Sequence, residues 1–168
     1  MKAKLFIIFS LVCFLFISKA GAQVQDYKSA IGLRFGYPLS ISYKTFINDK
    51  AAIEGYAGFR SYSYYSWFNI GVLYQHHSKI SSVEGLAWYI GGGANAFFWS
   101  YDDTFYPNAS DYSSTSFGIS GCIGLDYKFK NIPLNLSVDW IPTVSFGGEY
   151  LNGFGASYGG LSARYILK

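Results

Sequence analysis

Between residues 117 and 129 the chain reads FGISGCIGLDYKF, and this stretch restricts the fold more than any other. Phe117, Ile119, Gly121, Ile123, Leu125, Tyr127 and Phe129 alternate with Gly118, Ser120, Cys122, Gly124, Asp126 and Lys128. A period of two puts these sets on opposite faces of one extended strand. At about 3.3 Å per residue and a tilt near 40°, such a strand climbs roughly 30 Å, the thickness of a bilayer's hydrocarbon core. An apolar face ending in aromatics, backed by small and charged residues, suits a strand with lipid on one side and a barrel interior on the other.

Charge decides which face points outward. Charged residues make up 14% of the chain, against about 25% in an average globular protein. A soluble lipocalin-like barrel would need a charged exterior, and this chain lacks the charges to build one. Aromatics reach 21%. The chain opens with Lys2 and Lys4, an apolar run over residues 5–17, and Ala20-Gly21-Ala22. This order predicts a secretory signal peptide over residues 1–22, cleaved before Gln23. The run is shorter than the ~20 residues a spanning helix needs, and Cys13 lies inside it rather than after a lipoprotein cleavage site. The formal charge of +3 comes from Lys2, Lys4 and Lys19, all in the leader, so the mature chain is formally neutral. Nothing in that balance points to nucleic acid. Cys122 is the one mature cysteine, which excludes an internal disulfide. With no apolar run of ~20 residues after the leader, a closed barrel is the spanning structure that satisfies its own backbone.

The alternation recurs. It predicts strands over residues 28–37, 39–47, 51–60, 68–77, 86–99, 117–129, 134–146 and 158–168. Residues 23–168 then form one all-β domain, an eight-stranded antiparallel up-and-down transmembrane β-barrel. Connections at 48–50, 78–85 and 130–133 are short, as periplasmic turns are, whereas 61–67, 100–116 and 147–157 suit outer loops. Tyr37-Pro38 is an outer connection that is also short. An even strand number returns both mature termini to the periplasm. Gly91-Gly92-Gly93 argues against a helix and, with no Lys-Ser/Thr after it, against a phosphate cradle. Close strand packing is its expected role.

The segments AIGLRFGYPLSISYKTFINDKAAIEG, VEGLAWYIGGGANAFFW and IPLNLSVDWIPTVSF, behind a signal peptide, resemble small outer-membrane β-barrel proteins of the OmpA/OmpX-like kind. The resemblance covers nearly the whole mature chain. It implies a Gram-negative cell outer membrane, contact with its lipid and lipopolysaccharide, insertion by the barrel-assembly machinery, and a monomer. It implies no cofactor and no catalytic motif. Such proteins usually finish on an aromatic residue, whereas this chain ends Tyr165-Ile166-Leu167-Lys168, leaving Tyr165 as the substitute.

Three groups of residues carry candidate chemistry. Arg34, Lys44, Glu54, Arg60, Asp126, Lys128, Asp139 and Arg164 fall on the inward phase. Enclosed charges should pair, because an unpaired buried charge is costly, and an eight-stranded interior is narrow enough to be filled by side chains. A lumen network is therefore expected; a narrow pore for ions or small solutes is the alternative. His76 and Ser78 form a His-x-Ser pair that resembles lipid A deacylases, with Glu84 the nearest acid. Adjacent His76 and His77 do not make a metal pair, since neighbours on a strand face opposite ways. In the long outer loop, Tyr101, Asp102, Asp103, Tyr106, Asp111 and Tyr112 form a possible recognition surface. The expectation is a non-enzymatic barrel with a structural or surface-interaction role through its outer loops, its ligand unspecified by sequence.

Overall fold

The computed structural model describes residues 24–62, 65–101, 114–147, 153–155 and 158–167. Its strands are β1 (Ser29–Gly36), β2 (Ser40–Phe46), β3 (Ala51–Ser61), β4 (Tyr65–Lys79) and β5 (Leu86–Tyr101), then β6 (Ser114–Lys128), β7 (Leu134–Trp140), β8 (Thr143–Phe146), β9 (Gly153–Gly155) and β10 (Gly159–Ile166). Every pairing is antiparallel. The β5–β6 and β1–β10 pairings close the sheet on itself. β7 and β8 keep one register against β6, bridged by Gly121 N–H donating to Pro142 O at 2.9 Å, and so form one stave. β9 and β10 lie along them as another. The ten segments make a closed eight-stranded antiparallel barrel.

The sequence reading differs from this barrel at four places. The strand expected over 134–146 is interrupted at Ile141-Pro142, because proline has no N–H to give to a ladder. The register against the last stave shifts by one residue across that break, as in a bulge. Part of the expected loop 147–157 is strand β9, paired with β8. On the long-loop side, β4 starts at Tyr65 and β6 at Ser114, so these hairpins extend further than alternation alone indicated. Residues 24–27, ahead of the first expected strand, fold against the barrel end. Val24, Gln25 and Tyr27 are buried, Val24 N–H donates to Asp49 O at 3.0 Å, and Tyr27 meets Phe46 edge-to-face at 5.2 Å.

The two faces are sharply segregated. Ile31, Ile41, Ile53, Ile70, Ile90, Ile119, Val138 and Leu161 are exposed, one from each stave. Every Asp, Glu, Lys and Arg within a described strand sits on the opposite phase, Lys79 included. The interior also holds apolar bulk, with Trp67, Leu73, Tyr89 and Phe97 all buried, because a narrow lumen has to be filled. A Cβ added to Gly91 or Gly93 would collide with the carbonyl oxygen of Tyr74 or Val72. That is the close strand approach these glycines permit.

Candidate functional site: the polar interior

Small cross-strand neighbours make room for the charges. Arg34 lies opposite Ser40 and Ser162, Asp139 opposite Gly124 and Gly160, and Arg164 opposite Gly32. Long side chains can therefore cross the lumen and meet far from their own strands.

Glu54 and Asp139 anchor the first cluster. Arg34 donates to Glu54 at 2.7 Å and to both Asp139 carboxylate oxygens at 2.8 Å. Arg164 pairs with Glu54 from the other side and donates to Ser42 at 2.9 Å and Ser137 at 2.7 Å. Gln75 donates to the second Glu54 oxygen and the Tyr89 hydroxyl to Asp139, each at 2.7 Å. Asp126 anchors the second cluster, where it pairs with Lys44 and accepts from Asn135. His77 places Nε2 3.4 Å from Asp126 and stacks on Tyr89 at 5.0 Å. Lys44 sits 4.8 Å from the centre of that same Tyr89 ring. Asn135, an acceptor from Arg164 as well, links the two clusters.

Three cations (Arg34, Lys44, Arg164) thus face three carboxylates (Glu54, Asp126, Asp139), and all six are buried. Gln75, Tyr89 and Asn135 donate to the carboxylates, and Ser42 and Ser137 accept from Arg164, the condition under which buried charge is tolerated. On the short-turn side Tyr27 closes the cluster. Burial and then the Asp126 charge push its hydroxyl above the usual tyrosine range. On the other side Arg34, Tyr56, Asn69, Asn95, Thr143 and Tyr158 bound a cavity of about 30 Å³, one water's share of liquid volume. Beyond it Trp67 stacks on Trp99 at 5.1 Å and meets Phe97 at 5.9 Å. Salt bridges, a water-sized cavity and an aromatic layer follow one another along the lumen.

Arg60 and Lys128 share the inward phase but stand apart from these clusters, because both lie where strands emerge at a rim. Arg60 rests over the Tyr37 ring at 4.2 Å and the Tyr62 ring at 4.9 Å. Lys128 pairs with Asp26 of the N-terminal segment at 3.6 Å. His76 is exposed on the outward face, His77 is buried inside, and Glu84 pairs with Lys130 in the neighbouring turn. Tyr101 ends β5. Asp102, Asp103, Tyr106, Asp111 and Tyr112 lie outside the described residues.

Gln75, His77, Tyr89 and Asn135 are partners that charge alone did not single out. The signal was present in their inward phase, but an uncharged polar residue on that phase also reads as simple filler. No family model and no curated protein matches this chain.

Proposed function

We propose that the protein is a non-enzymatic outer-membrane barrel of the OmpA/OmpX-like kind. Its interior serves as a rigid core, and its outer loops provide the interaction surface. The observation that carries this reading is the segregation of the wall. Large apolar side chains are exposed on all eight staves, and every strand charge takes the inward phase. Water would penalise such an exterior, whereas lipid favours it. The paired charges and the water-sized cavity favour a filled lumen over a solute pore. Among the described residues, the cavity beside Arg34 is water-sized, too small for a substrate. In this reading the turns at Asn48 and Asn131 and both mature termini face the periplasm.

Cell fractionation tests the proposal. The protein should partition with outer membranes and run faster on SDS gels before boiling than after. A periplasmic protein whose mobility does not change on heating would overturn it. Lipid A mass spectra should be the same with and without the protein; an acyl chain lost with wild type and restored by Ser78→Ala would establish a hydrolase instead.

A further inference from the structure

Among the described strands, the outward phase carries one basic side chain. Every Asp, Glu, Lys and Arg of those strands takes the inward phase, but His76 is exposed on the outward one. Ser78, half-buried, is the next residue along the same face of β4. No hydrogen bond or ion pair joins either side chain to another described residue. The pair resembles a hydrolase in sequence, yet no acid stands behind it. Glu84 is taken by Lys130, and Asp126 lies inside the wall beside His77.

The strand sets the depth of the pair. His76 comes shortly before Lys79, the last residue of β4, at a distance of about 10 Å along the strand. Strand tilt shortens that distance along the membrane normal. His76 and Ser78 therefore fall at the level of a headgroup layer, roughly 5–8 Å thick on each side of a bilayer. Aromatic residues mark the same level. Tyr74 is exposed next to His76 on this face, and Trp88 lies directly opposite Ser78 in the β4–β5 register. Such rings gather where one end meets hydrocarbon and the other meets water. Beyond Tyr74 the face is apolar, with Val72, Ile70 and Phe68 exposed.

We propose that His76 and Ser78 bind the phosphate of one phospholipid headgroup, whose acyl chains lie along Tyr74 and Val72. The proposal rests on the membrane reading above. Both side chains offer donors, and imidazole keeps at least one N–H whatever its charge. Residues two apart on one strand face stand about 6.6 Å from each other, so a single phosphodiester can accept from both. Hydrogen bonds to a charged acceptor are the stronger kind. An unpartnered polar group at the edge of hydrocarbon is costly, and the headgroup phosphate satisfies both donors there. A free anion has no chains to pack on Tyr74 and Val72, which separates the lipid from inorganic phosphate.

The chain's two histidines supply the test, because His77 is buried on the other side of the same wall. The mature protein, untagged, isotope-labelled at histidine and shown to be heat-modifiable, is reconstituted into fluid phosphatidylethanolamine–phosphatidylglycerol vesicles. Solid-state NMR then reads nitrogen–phosphorus dipolar dephasing of the imidazoles. Freely diffusing lipid averages this coupling away, whereas a held phosphate preserves it. His76 should dephase and His77 should not; His76→Gln, which removes the labelled ring, assigns the signal. Ser78→Ala should lower the dephasing about twofold, since one of two hydrogen bonds to the phosphate is gone. No dephasing at His76 overturns the site, as does equal dephasing in Ser78→Ala. Equal dephasing by inorganic phosphate in phosphate-free galactolipid vesicles would reveal a general anion site and overturn the lipid assignment. Loss of heat-modifiability in wild type would instead defeat the membrane reading, before any spectrum is taken.

Discussion

Glu54 is where the interior is most sensitive to a single side chain. It is fully buried and shared by Arg34, Arg164 and Gln75. Glu54→Ala leaves two guanidinium groups with too little counter-charge, and removing one partner of a buried pair costs about 3–5 kcal/mol. Urea unfolding of the protein in lipid vesicles should show a loss of that size. The paired replacement Lys44→Met with Asp126→Leu should cost much less than Lys44→Met alone, since apolar filling removes both charges together. A double variant no more stable than the single would show that Asn135 and His77 already compensate Asp126. Glycines separate just as clearly. Gly93→Ala forces a methyl against the Val72 carbonyl and should destabilise by about 1–3 kcal/mol, whereas Gly55→Ala should leave the unfolding midpoint unchanged.

At the scale of elements, the N-terminal segment and the interrupted seventh stave matter most. Residues 24–27 close the end of the lumen through Tyr27 on Phe46, with Ala30, Ala52 and Ile166 packed around them. Tyr27→Ala removes a large buried ring and should cost about 3–5 kcal/mol. Hydrogen exchange should locate the damage: faster exchange at the Ser29 end of β1 and the Phe46 end of β2, and unchanged protection in β5. Uniform loss of protection would mean that the segment supports the whole wall. The Ile141-Pro142 interruption is compensated on one side, where β6 continues its register past the proline through Gly121 N–H. The bulge lies on the other side, toward the last stave.

For the molecule as a whole, the question is what solvent the wall meets. Ile119, on β6 between Phe117 and Gly121, is 64% exposed, well above a buried core residue. In lipid, Ile119→Arg should cost about 2–4 kcal/mol at mid-depth and slow insertion into vesicles. On a water-facing wall the same change would be neutral or would improve solubility, so the sign of the effect decides between the two. Planar-bilayer recordings of the reconstituted protein should show no steady conductance, because paired charges and the Trp67–Trp99 layer fill the lumen. Channels that discriminate solutes by size would contradict this.

Alternation, the scarcity of charge and the short polar turns were enough to read the all-β class, the eight staves, the antiparallel order and the phase of each face from the sequence. These are local properties: a period of two dictates which residues share a face, whatever the neighbours are. The residues that would enter the lumen were legible for the same reason, from Arg34 to Arg164. Who meets whom was not. Arg34 reaches Asp139 across 105 positions of sequence and Lys44 reaches Asp126 across 82, and such pairings follow from closure and stagger, which no single strand contains. Closure also expelled Arg60 and Lys128 to the rims and drew in Gln75, His77, Tyr89 and Asn135. It also folded residues 24–27 into the barrel end. The opening stretch shows the division: residues 117–129 determined their own two faces, and the tertiary structure decided that Asp126 would be held by Lys44 and Asn135.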